Sequence, residues 1–335
     1  MKDLKVIEGS MMYLVIGMLF VSVSIALSNL NTAIETQLIV TQYLIIGSPP
    51  ILYLLLKKKS LGGILRLKGL SVKSIFMIIL ITLLVYPIAV LLNTLIMLFL
   101  SLLGSMDIPQ IPTATTSQQY ILYLFIIAIS AGICEEVLFR GFIMRSFEKV
   151  SYKFAIVFSA LLFGIFHFNI YNLGATIFFG IIFGYLVVLT GSLWAGIIGH
   201  ITNNALAVSL GFLMNQVQQY SEGLLPEGSE VGTAEVISTE EILMAIGIFG
   251  FIALGTGFAA LILLKHLRKH HQNQDPLLLG NNTGVSLSRA ADLENQNPEE
   301  NNYQLKEFLP VLPIFILFMV LTGFQLHQVL TAVGL

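Results

Sequence analysis

Three apolar stretches near the middle of the chain carry side chains that can move protons: Glu135, Glu136 and Arg140 in one, His167 in the next, and His200 with Asn204 in a third. A charge near the centre of a bilayer costs several kcal/mol, roughly 2.5–3.5 on insertion scales, so such groups face a protein interior and have a task there. On a helix, Glu136 and Arg140 are four residues apart and share a face, where a carboxylate and a guanidinium pair. Glu135 is turned about 100° away from them. One glutamate is therefore held ionised by its arginine, and the other is left to exchange a proton as a general base does. The competing use of Glu136 and Arg140 is a salt bridge that locks two helices. His167 closes the run from Phe163, whose ring lies on the same face and walls the imidazole from lipid. His200 and Asn204 are again four apart, so an imidazole and an amide can donate to one oxygen. A lone membrane histidine can also be satisfied by a backbone carbonyl, but two beside a carboxylate pair point to a site.

The elements that position these groups follow from composition. With 56% apolar and 11% charged residues and a mean hydropathy of +0.86, the chain cannot wrap a polar surface around a core. It reads as an all-α, polytopic membrane helical bundle of about nine transmembrane helices, near 9–29, 38–56, 75–103, 120–144, 154–168, 173–190, 193–213, 242–264 and 308–330. Pro49-Pro50 removes two backbone donors and kinks the second span. The fifth is short. Ala26-Leu27-Ser28 resembles a signal-peptidase site, but the preceding apolar run is long for a signal peptide, so an uncleaved anchor is expected.

Charge gives the orientation. With nine spans and a cytoplasmic N-terminus, all 17 Lys and Arg fall on the cytoplasmic side of what is expected to be the cell membrane. The 214–241 loop is then external, carrying Glu222, Glu227, Glu230, Glu235, Glu240 and Glu241 with no basic residue. A net charge of −2 gives no basis for a nucleic-acid partner. Cys134 is the only cysteine, which excludes an internal disulfide and any multi-cysteine metal site, and its apolar flanks suit a packing residue. The His270-His271 pair lies in a polar stretch and is read as incidental.

Counted at 1.5 Å per residue from the cytoplasmic ends, Glu135 is about 15 Å deep, His200 about 10 Å and His167 about 21 Å. One cavity open to the cytoplasm can hold all three, with His167 the outlier. Gly180-Ile181-Ile182-Phe183-Gly184 is a GxxxG pattern, and Gly196 and Gly199 flank His200, so small residues let these helices approach.

Together the motifs resemble the CAAX prenyl endopeptidases and their bacterial relatives, the CAAX-protease and bacteriocin-processing family. EExxxR reads as Glu135-Glu136-Val137-Leu138-Phe139-Arg140, FxxxH as Phe163 to His167, and HxxxN as His200 to Asn204, in the family's order and each within an apolar span. The resemblance covers about 118–215. It implies an intramembrane endopeptidase in which Glu135 and His167 activate a water, His200 and Asn204 stabilise the oxyanion, and Glu136 and Arg140 support. It further implies a peptide or protein substrate, prenylated or a peptide precursor, met in the lipid bilayer.

No cofactor is expected. Zinc held by Glu135, His167 and His200 is the alternative, set against the lack of HExxH and the loss of Glu135 as a base. A non-proteolytic scaffold or immunity protein is the rival function, ahead of a transporter, for which no pair of interrupted spans in matching halves is visible. The expected division is N-terminal transmembrane helices over 1–117, the catalytic core over 118–215, the external acidic loop and eighth span over 216–265, a disordered cytoplasmic linker over 266–307, and a C-terminal span over 308–335. The linker and last span read as additions to the core.

Overall fold

The computed structural model describes residues 4–104, 112–222, 238–274 and 303–331. Among the described residues there is no strand, and eight helices are long and apolar enough to cross a bilayer. They are α1 Val6–Asn29, α2 Ile34–Leu56, α3 Val72–Ser101, α4 Ser117–Phe147, α6 Ile170–Thr190, α7 Leu193–Glu222, α8 Thr239–Gln274 and α9 Leu312–Thr331. A shorter apolar helix, α5 Tyr152–Phe166, makes the ninth. The expected all-α membrane bundle is therefore present, span for span. Phe251, Leu254 and Phe258 of α8 are all exposed, an apolar surface that suits lipid and not water.

Two boundaries differ from expectation. The seventh helix continues to Glu222, into the stretch read as an external loop, and α8 continues to Gln274, into the stretch read as a linker. Residues 223–237 and 275–302, where most of those two segments fall, lie outside the described residues. Hydropathy stops at the first polar turn, but a helix projecting past the bilayer keeps its backbone hydrogen bonds.

In α2 and α4 the backbone departs from regular helix around the candidate residues. The second helix widens to π-type bonding over Thr41–Gly47, just before Pro49 and Pro50, whose missing N–H groups leave carbonyls one turn earlier without their usual donors. The fourth carries two such wide turns, Leu124–Ser130 and Val137–Ile143, on either side of Ala131–Glu136.

Contacts between loops gather the basic clusters at one end of the bundle. Arg66 pairs with Glu148 through Nη1 at 2.7 Å, and Arg145 binds the same carboxylate. Lys59 meets Glu8 at 3.2 Å, and the Ile7 N–H donates to Glu307. After α6, Gly191 takes a left-handed φ of 64°, and the chain turns into α7 with the Leu193 N–H donating to Arg66 O and the Ser192 hydroxyl to Lys68 O. The histidine pair read as incidental docks here as well: His270 Nε2 lies 3.2 Å from Ser71 Oγ and His271 Nε2 3.0 Å from Ser74 Oγ, at the N-cap of α3.

Helices α5 and α6 form a hairpin that enters from this end and returns to it. Gly180 makes their close approach possible, since a Cβ there would come within 2.8 Å of Ala160 Cα. The first helix packs across α4 and α5, with the Tyr13 hydroxyl donating to Leu162 O at 3.0 Å. The last helix is part of this core: Ile314 fills the space over Gly17, and Val311, Ile314 and Phe318 are buried in the same cluster as Phe139 and Phe163. The last helix thus packs into the bundle's core.

Candidate active site

Glu136 and Arg140 meet as their spacing requires, with Arg140 Nη1 donating to Glu136 Oε1 at 2.7 Å and both side chains essentially inaccessible. The same oxygen accepts from His200 Nδ1 at 2.9 Å. This contact fixes the imidazole: Nδ1 carries the hydrogen, and Nε2 faces Glu135, 3.9 Å from its Oε2. His200 thus lies between the two adjacent glutamates. The gap to Glu135 is too long for a direct hydrogen bond, and a water within bonding distance of both atoms can sit off the line joining them.

Packing holds the group in place. Glu136 Oε2 lies over Gly196, where a Cβ would come within 2.4 Å of it. The Arg140 guanidinium stands 4.4 Å from the Phe163 ring centroid and 5.9 Å from that of Phe183, and Nη2 reaches Gly180 O at 3.4 Å. Stacked Phe183 and edge-on Phe163 cover the His200 ring on two sides. Low polarity around the ion pair strengthens it and makes the loss of either partner costly.

His167 enters through Phe163. Its Nδ1 is 2.8 Å from Phe163 O, so that nitrogen donates and Nε2 is left as an acceptor. The ring lies edge-on to Phe163 at 4.8 Å, the same ring that touches His200 at 5.8 Å. The depth difference read from sequence closes through side-chain direction, because helical side chains lean toward their own N-terminus. Glu135 stands on a helix running toward the basic end and His167 on one running away from it, so the two lean toward one level.

Asn204 is placed differently from the paired donor that its spacing suggested. Its Nδ2 donates to Ile127 O at 2.8 Å and its Oδ1 accepts from Asn203, so one amide hydrogen remains for a ligand. The free carbonyl lies in the wide turn Leu124–Ser130, whose irregular backbone exposes an acceptor to α7.

Gln42 was not singled out from sequence. It sits in the wide turn of α2, is 8% exposed, and donates from Nε2 to Glu135 Oε1 at 2.8 Å. Glu135 Oε1 is thereby occupied and Oε2 left toward His200. The available signal was an uncharged amide inside an apolar span, without a partner at helical spacing such as His200 gives Asn204. Cys134, beside Glu135, is buried with its Sγ against Gly47 of α2, consistent with packing.

Among the described residues no three His, Cys, Asp or Glu side chains converge as a metal-ligand group. Glu135 and His200 approach each other, and His167 lies against the same Phe163 ring as His200. The arrangement can polarise a water with a carboxylate and an imidazole acceptor, beside an amide donor.

Residues 117–206 match the family model described as Type II CAAX prenyl endopeptidase Rce1-like, which bears out the resemblance drawn from the three motifs. No curated protein and no solved structure matches the chain.

Proposed function

We propose that this chain, a multi-pass membrane protein with a CAAX-protease-family domain over residues 117–206, is an intramembrane endopeptidase that uses Glu135 as its general base. The observation that carries the reading is the buried unit in which His200 lies between Glu136, clamped by Arg140, and Glu135, oriented by Gln42. Glu135 Oε2 takes a proton from a water whose other hydrogen is accepted by His167 Nε2. The resulting hydroxide attacks the scissile carbonyl. Asn204 Nδ2–H and, when protonated, His200 Nε2–H donate to the oxyanion, and Glu135 returns its proton to the leaving amine. Glu136 and Arg140 hold His200 in one tautomer and orientation.

The substrate is proposed to be a peptide or protein tail, prenylated or a peptide precursor, cut near the cytoplasmic face of the cell membrane with the N-terminus of the enzyme on that side. Purified protein in proteoliposomes should cleave a fluorogenic peptide with a prenylated cysteine near its C-terminus. Glu135→Gln, His167→Ala and His200→Ala should each abolish cleavage, and Asn204→Ala should slow it by about one to three orders of magnitude. Cleavage that survives Glu135→Gln removes the base, and a wild type without turnover favours a scaffold. Inhibition by a chelator that added zinc reverses would replace the metal-free mechanism.

A further inference from the structure

The turn that follows His167 lies about 22 Å along α5 from its start, inside a hydrocarbon layer about 30 Å thick. Backbone groups outside a helix at that depth must be satisfied by protein. Asn169 of the turn accepts from the Tyr171 N–H at 2.9 Å, and two further amide side chains come from helices outside the matched segment 117–206. Gln325 of α9 binds the turn twice, donating from Nε2 to Phe168 O at 3.1 Å and accepting from the Ile170 N–H at 3.2 Å. Asn93 of α3 holds the other end, donating to Asn172 Oδ1 at 2.9 Å and accepting from the Ala175 N–H at 2.8 Å, one of the first-turn donors that a helix leaves open.

Phe168 itself has a φ of 48°. A bulky residue in the left-handed region costs roughly 1–2 kcal/mol, and such strain persists only where the surroundings over-determine it. Here the strained residue is the one directly after His167, and its carbonyl is what Gln325 holds.

We propose that Gln325 and Asn93 are positioning residues for His167: a polar clamp from α9 and α3 that fixes the strained turn and so aims the His167 imidazole at the Phe163 side of the site. This gives the last helix a function in the reaction. The inference rests on the catalytic reading of His167 given above, and the test separates the two.

Full-length wild type, Gln325→Leu, Asn93→Leu, Gln325→Glu and His167→Ala are compared in proteoliposomes by two readouts. One is turnover of the prenylated fluorogenic peptide. The other is the rate at which diethyl pyrocarbonate modifies His167 relative to His200, read by mass spectrometry, which needs no substrate. A clamp predicts that each leucine substitution lowers kcat by about 10–100-fold with little change in KM, as a misplacement of about 1 Å does. It also predicts a severalfold change in His167 modification with the His200 rate unmoved. Gln325→Glu keeps the acceptor for Ile170 and loses the donor to Phe168, and should fall between. A His167 to His200 ratio equal to wild type in both leucine variants overturns the clamp, as does an equal loss at both histidines, the mark of general loosening. If His167→Ala cleaves as fast as wild type, the catalytic reading fails and the modification ratio still decides the positioning.

Discussion

Removing Arg140 leaves Glu136 buried with only His200 to satisfy it, and removing Glu136 strands a guanidinium between two phenylalanine rings. Breaking a buried pair in this way costs about 3–5 kcal/mol. Glu136→Ala and Arg140→Ala should therefore reduce folded protein and lower the melting temperature in detergent, whereas Glu135→Gln, which replaces one hydrogen-bonding group by another of the same shape, should lose turnover with its melting temperature kept. Equal thermal losses in all three variants would contradict the division of labour between the two glutamates. Gly196→Ala tests the same point without touching a charge, because its Cβ would press on Glu136 Oε2 and displace His200 through it. Cys134 is the contrast. Its thiol is buried against Gly47, a packing position, so Cys134→Ala should retain most activity. A folded but inactive Cys134→Ala protein would point to a thiol mechanism.

At the level of helices, existence and order were legible because a membrane span announces itself by length and apolarity, and the i,i+4 pairing of Glu136 with Arg140 was legible because it lies within one helix. Contacts between helices were not. Nothing in the spacing says that His200 Nδ1 meets Glu136, that Gln42 of α2 reaches Glu135, or that Asn204 is tied to Ile127 O, since each depends on how two rods are rotated against each other. The wide turns of α2 and α4 were equally hidden, because they answer missing or diverted backbone bonds and leave hydropathy unchanged. GxxxG was a better guide than its frequency in membrane proteins suggested, for Gly180 does touch the backbone of Ala160. Overpacking such a site costs about 1–3 kcal/mol. Gly180→Val should separate α5 from α6, lower the melting temperature, and reduce cleavage by moving the carbonyl that Arg140 Nη2 contacts; a variant as stable and active as wild type would show that the close approach is dispensable.

Across the whole molecule, the loop contacts and the charge distribution make one argument about orientation. Ion pairs and hydrogen bonds join residues 5–8, 59, 66–68, 145–148, 192–193 and 307, so the basic clusters that the positive-inside rule assigns to the cytoplasm share one end of the bundle. From that end α7 leaves at Leu193, tied to Arg66, and the span reaches Ser221; its 29 residues run for about 43 Å, more than the roughly 30 Å of hydrocarbon. Ser221 must then emerge on the opposite face. Single cysteines introduced as Lys57→Cys and Ser221→Cys in a Cys134→Ala background test this directly, both positions being exposed. A membrane-impermeant maleimide applied to intact cells should label Ser221→Cys at once and Lys57→Cys only after permeabilisation. Labelling of both from the same side would break the span count, and labelling in the reverse order would keep the bundle but turn it over, placing the glutamate pair toward the outside and removing the cytoplasmic substrates proposed for it.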